Sequence, residues 1–180
     1  MLYEMMKDLD ISGSYLLQLL KKHLPLETSE SVISENLQYN IPSIINFYIP
    51  LHLVEHEYGE LFEMILQKML APKKFTEDVT NHMLVESILL SARTEKHLEL
   101  LRQWYESGKI TDLDGKVIEG IELSTKHKHS MVRRLFTSRD IPLEDKQKYL
   151  KQLEEIDTTD WTDKTKHYCK SAIPDIEVKR

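Results

Sequence analysis

Between Ala92 and Ile110 the sequence spells out a helix with both of its ends marked. Thr94 is placed to cap the N-terminus, because its hydroxyl can accept one of the orphan backbone N–H groups of the first turn. Gly108 sits where a helix calls for a left-handed residue just past its end. Leu98, Leu101, Trp104 and Tyr105 recur at i, i+3, i+6 and i+7, which gathers them on one apolar face. The rest of the chain repeats this grammar of short, capped helices.

A pass along the chain predicts a helix over Leu2–Leu9 with Leu2, Met5, Met6 and Leu9 on one face. Ser14 then caps Tyr15 to Leu24, which Pro25 stops. Thr28 or Ser29 opens a third helix carrying Val32, Ile33, Leu37 and Tyr39, and Pro42 makes it kink or restart, with Ile44, Ile45, Phe47 and Tyr48 beyond. Pro50 opens Leu51 to Leu70, whose inward face reads as Leu53, Val54, Leu61, Ile65 and Met69. Ala71 to Lys74 is a break. Thr76 caps Glu77 to Ser91, with Val79, Met83, Leu84, Ile88 and Leu89 inward. After the Ala92–Ile110 helix, Asp112-Leu113-Asp114-Gly115 is a turn signal in the longest irregular piece. Ser124 or Thr125 caps a helix through Phe136. Pro142 starts Leu143 to Ile156, with Tyr149, Leu150 and Leu153 inward. Trp161 to Ala172 is the last full helix, and Pro174 begins another.

The fold class is therefore all-α, with about nine helices and no sheet. Short connectors make sequential helices antiparallel neighbours. Such pairs stack as an irregular α-solenoid of the HEAT or armadillo kind, irregular because no strict repeat is present. The whole of 1–180 reads as a single helical domain. Only 5 Gly and 6 Pro oppose a turn-rich β protein. The net charge of -6 argues against a nucleic-acid partner, which calls for a basic excess. A single cysteine, Cys169, makes no internal disulfide, and no apolar run approaches the ~18 residues of a membrane span. Met1 to Asp10 is too charged for a signal peptide. A cytoplasmic protein, or a piece of a larger one, is expected.

Few side chains announce chemistry. His52-Leu53-Val54-Glu55-His56 fits H-x-x-E-H, in which two His at i and i+4 hold zinc and the Glu is a general base. The string is short, it opens a helix where polar residues are common, and no third ligand is evident. His52 and His56 are thus weak metal candidates beside a plain reading as solvated helix-start histidines. His56-Glu57-Tyr58-Gly59-Glu60 fails as H-E-x-x-H, since Glu60 stands where the second His is needed. Lys126-His127-Lys128-His129, with Arg133 and Arg134, is a basic stretch that can meet a peptide carboxylate or a phosphate, or simply form a solvated face. His167 and Cys169, two apart on a helix, do not face each other and make no nucleophile pair.

Several local strings, in order, resemble the C-terminal helical domain of the aminopeptidase N family of zinc metallopeptidases. They are Leu2-Tyr3-Glu4-Met5-Met6-Lys7-Asp8, Leu26-Glu27-Thr28-Ser29, Tyr48-Ile49-Pro50, Arg93-Thr94-Glu95 through Gly108, and Asp157-Thr158-Thr159 through Ser171-Ala172-Ile173-Pro174-Asp175 to Lys179. The likeness runs along essentially the whole chain. It departs at Lys128-His129, where the family usually has Arg-Trp, and at Ile156, where it has Arg. The family's catalytic H-E-x-x-H and its Gly-Ala-Met-Glu-Asn motif do not occur here.

What the resemblance implies is a non-catalytic domain that cups over the active site and shapes the peptide cavity. Its partners would be the catalytic domain of the same polypeptide and the peptide substrate, with no nucleic acid and no membrane. No cofactor is expected in this chain, and zinc belongs to the parent enzyme's catalytic domain. Lys126, Lys128, His129 and Arg133 are the candidates for touching substrate. A first helix without an N-cap and a last one left unfinished accord with a fragment. The rival readings are a stand-alone helical-repeat adaptor that binds protein segments and, more remotely, a small zinc hydrolase using His52, Glu55 and His56.

Overall fold

The computed structural model describes residues 11–70 and 78–173, the side chains of residues 78–80 aside. The expected helix at Leu2–Leu9, the break at Ala71–Lys74, the cap at Thr76, the inward Val79 and the start at Pro174 lie outside what is described. Among the described residues the chain is all-helical, and its one extended pairing is an isolated bridge between Thr111 and Val117. None of these helices is long and apolar enough to cross a membrane. The fold gathers into two compact units, Met1–Arg93 and Thr94–Arg180.

The first unit holds α1 (Gly13–His23), α2 (Glu30–Glu35), α3 (Ile41–Tyr48), α4 (Leu51–Leu70) and α5 (Asp78–Ser91). Helix α1 packs on α3, α3 on α4, and α4 on α5. Its cap is Ser12, not Ser14: the Ser12 hydroxyl accepts the backbone N–H of Tyr15 at 3.1 Å. Gly13 follows as the first helical residue. A Cβ there would lie 2.6 Å from Tyr48 Cβ, so a glycine inside the first turn lets α1 lie directly on α3. After a 3-10 turn over Leu24–Leu26, the Lys68 ammonium donates to the carbonyls of Leu24, Pro25 and Glu27, which closes the end of this segment.

The α-helix restarts around Pro42, as expected, but without a gap. The backbone widens into a π-helical turn over Asn36–Asn40 and re-enters α-helix at Ile41, with Pro42 in its first turn. A wider turn accommodates a residue that lacks an N–H and crowds the carbonyl one turn back. Asn36, nearly buried in that turn, donates to the Val32 carbonyl at 2.8 Å. Ile33, Leu37, Ile41, Ile44 and Ile45 are buried, whereas Val32, Tyr39 and Phe47 face solvent. In α4 the core face is Tyr58, Leu61, Phe62, Ile65, Leu66 and Met69. Leu53, expected inside, is 38% exposed, because the first turns of α4 extend past the core. Met83, Leu84, Ile88 and Leu89 of α5 are buried as their spacing requires.

The second unit holds α6 (Glu95–Ser107), α7 (Thr125–Leu135), α8 (Leu143–Ile156) and α9 (Asp160–Ala172). Thr94 accepts the His97 N–H at 3.3 Å, and Gly108 closes α6 at φ 69°. Leu98, Leu101 and Trp104 are buried, and the Trp104 indole donates to Thr111 Oγ1 at 3.1 Å. Beyond α6, Asp112 Oδ1 accepts the N–H groups of Asp114 and Lys116, which closes the turn around Gly115 at φ 82°. Helix α7 packs against α6, α8 and α9 and so forms the centre of this unit.

Candidate functional site

The H-x-x-E-H residues occupy the first turns of α4. His52, Glu55 and His56 are all exposed, and His56 lies 3.5 Å from Glu60 on the next turn of the same helix. A zinc site needs three or four converging donors. Among the described residues no third donor gathers with His52 and His56.

The basic stretch of α7 is built differently from a single charged face. Ser124 and His127 form a capping box: the Ser124 hydroxyl accepts the His127 N–H, and His127 Nδ1 accepts the Ser124 N–H, both at 3.2 Å. At about 100° per residue, four consecutive side chains cannot point the same way. Lys126 is exposed and Lys128 partly so, while His127 and His129 turn inward. Arg133, one turn beyond His129, is partly exposed.

His129 is the centre of a polar network between α7, α9 and the loop before α9. Its Nε2 lies 2.6 Å from Asp157 Oδ2 and its Nδ1 lies 3.0 Å from Thr165 Oγ1. Arg133 Nε donates to the same Thr165 oxygen at 3.1 Å. Asp157 is fixed from its own side: its Oδ1 accepts the Thr159 N–H at 2.9 Å, and its carbonyl accepts the Thr162 hydroxyl at 2.6 Å. The Thr159 N–H foremost, and then His129, hold the Asp157 carboxyl below the usual carboxylate range. These partners fix the roles in a neutral ring. Nε2–H donates to Asp157, so Nδ1 must accept, and the Thr165 hydroxyl donates to it while receiving Arg133.

A carboxylate, an imidazole and a hydroxyl in line are the parts of a nucleophile relay. Here the hydroxyl is unavailable for attack, since Thr165 has no exposed surface and already engages both His129 and Arg133. The network therefore orders the α7–α9 packing rather than performing chemistry. The same holds for Cys169, buried below Thr165, whose thiol burial pushes up to about 12. His167 lies on the exposed side of α9. In the open cleft lined by Glu95, Lys96, Glu99, Asp140 and Ile141, both glutamates are engaged. Glu95 accepts the Ser138 hydroxyl and the Arg139 N–H, and Glu99 pairs with Arg102 at 2.6 Å.

Of the four substrate-contact candidates, His129 and Arg133 are thus brought together through Thr165, whereas Lys126 is exposed and takes no part in that network. Thr165 escaped the sequence reading, and the helical spacing of Trp161 read as a core position rather than as an exposed platform. Trp161 stands at 45% exposure beside both His129 and Arg133, with ring centroids 6.5 Å apart from His129 and the guanidinium 5.8 Å above its ring. The signal for it was the spacing of Trp161, Lys164 and Tyr168 at i, i+3 and i+7, an outward aromatic and basic face. No protein-family model, no curated protein and no solved structure matches the chain.

Proposed function

We propose that this chain is a non-catalytic C-terminal helical domain of a zinc aminopeptidase resembling aminopeptidase N. In that role it lies against the catalytic domain of the same polypeptide and shapes the cavity that receives peptide. The parent enzyme releases N-terminal amino acids from peptides and keeps its zinc in the catalytic domain, in the cytoplasm. A wall of this kind excludes water and misplaced chains from a cleft and adds no reacting group of its own.

The observation that carries the reading is the ordered set of family-like strings, three of which mark helix boundaries among the described residues. Thr94 and Gly108 bound α6. Tyr48-Ile49-Pro50 ends α3 in extended backbone and opens α4. Asp157-Thr158-Thr159 turns α8 into α9 through the Asp157 carboxylate. Strings that set helix limits accord with a shared helical layout.

A second reading, a stand-alone helical-repeat adaptor, draws on the apolar corner where Phe47 is 79% and Leu51 89% exposed. The full reading frame discriminates the two. An upstream, in-frame H-E-x-x-H with its distal Glu supports the peptidase domain. A transcript that starts at Met1, together with capture of a defined protein segment at Phe47 and Leu51, overturns it in favour of the adaptor. Turnover of aminoacyl-fluorogenic substrates by this chain with added zinc, abolished by His52→Ala, overturns both.

A further inference from the structure

The Arg133 guanidinium contacts Thr165, Trp161 and Tyr168, and the residue is partly exposed. Its Nε–H is spent on Thr165 Oγ1 at 3.1 Å. Its carbon lies 5.8 Å from the ring centroids of both Trp161 and Tyr168, which flank it on α9. Thr165 is itself fixed by His129, which is fixed by Asp157. The stem of Arg133 is therefore pre-positioned. The terminal N–H groups are what remains, and among the described residues no carboxylate reaches them. The cations nearby are matched by contrast: Lys164 binds Asp160 at 2.8 Å, and Lys166 reaches Glu154 at 3.3 Å and Asp163 at 3.7 Å.

We propose that Arg133, walled by Trp161 and Tyr168 and positioned by Thr165, is a binding site for a single carboxylate carried by a peptide. A planar fork with its Nε already anchored presents its terminal N–H groups to a carboxylate with little further ordering to pay for. Half-exposed aromatic rings on either side supply flat apolar surface for the atoms that carry the acid. One unmatched positive charge fits one negative charge. A phosphate dianion fits less well, because Asp157, Asp160 and Asp163 stand on the adjoining loop and helix start. The site stands on this geometry and not on the chain's being part of a peptidase.

The test is NMR titration of the full chain, following the Arg133 Nε–H and Trp161 indole signals. The probes are four: an N-acetylated neutral peptide with a free C-terminal carboxylate, the same peptide amidated, the amidated peptide carrying one internal Glu, and inorganic phosphate. Shifts at Arg133 with the first or third probe, and none with the blocked neutral peptide, are expected. Which of the two acts identifies the source of the carboxylate. Arg133→Gln should weaken that probe roughly tenfold or more, because a charge-assisted bidentate contact is lost, and Arg133→Lys should weaken it too, since an ammonium lacks the fork. Lys151→Gln, on the exposed side of α8, should change it little. No shift with either acid, equal shifts with the blocked peptide, or shifts with phosphate alone would each overturn the proposal. If Arg133→Gln fails to fold, the wild-type titration decides by itself.

Discussion

Trp104 offers the sharpest check on how the second unit is packed. It has no exposed surface, its ring lies on the inward face of α6 with Leu98 and Leu101, and its indole donates to Thr111 at 3.1 Å. Trp104→Ala removes the largest fully buried side chain and leaves a cavity, a change that costs about 3–5 kcal/mol in well-packed cores. Trp104→Phe keeps most of the ring and loses the donor. Thr111 is partly exposed, so its hydroxyl can turn to water, and the smaller change should cost about 1–2 kcal/mol. Lys96→Ala and Gln103→Ala, on the exposed side of α6, should stay within about 0.5 kcal/mol. Urea unfolding followed by far-ultraviolet circular dichroism reads all four. With a slope of about 2 kcal/mol per molar, Trp104→Ala lowers the midpoint by about 2 M. A Trp104→Ala midpoint equal to wild type would show that the residue is exposed in solution and that the inward face of α6 is wrongly assigned. If Phe costs as much as Ala, the indole hydrogen bond and not the packing holds this region.

Gly13→Ala should cost about 1–3 kcal/mol, since its new methyl meets Tyr48 Cβ at 2.6 Å and must push α1 off α3; an unchanged thermal midpoint would contradict that close approach. Asp157 has its folded pKa lowered, so its contribution to stability is present above the unfolded value of about 3.9 and is lost as pH falls through the folded one. Asp157→Asn should therefore lower the urea midpoint at pH 7 and flatten its decline below about pH 4, and parallel curves for the two proteins would argue against the assignment. Cys169 should not react with a thiol reagent at neutral pH until the chain is unfolded, because it is buried and its thiol is pushed up to about 12; fast labelling of the native protein would show that α9 opens.

The helix ends were the most legible part of the fold, because capping is local chemistry. Thr94, Gly108 and Ser124 each act within three or four residues of where they stand. At the start of α1 the cap is Ser12, and nothing near Gly13 in sequence shows that Tyr48 will lie against that first turn. The π-helical turn was half legible. Pro42 announces a disturbance, but whether the backbone breaks or widens depends on whether the helix on both sides has a core to bury. Ile33 and Leu37 before it, and Ile44 and Ile45 after it, are all buried, so continuity is kept. Leu53 failed for the opposite reason: its spacing suits the apolar stripe, yet the first turns of α4 reach beyond the elements that would cover it.

The network at His129 joins residues 28 to 36 positions apart, which no local pattern reports. Half of it can still be read from α9 alone. Thr162, Thr165 and Cys169 form the buried stripe of that helix, and a buried hydroxyl demands a partner from whatever packs against it. His129 meets that demand with two ring nitrogens, one 2.6 Å from Asp157 Oδ2 and one 3.0 Å from Thr165 Oγ1. His129→Gln offers a donor and an acceptor and should keep most of the stability. His129→Leu leaves the Thr165 hydroxyl and the Asp157 carboxylate without their shared partner and should cost about 1–3 kcal/mol. Urea midpoints at neutral pH separate the two. If Leu is as stable as Gln, the imidazole serves as filler between α7 and α9, and Thr165 must hold Arg133 without help from His129.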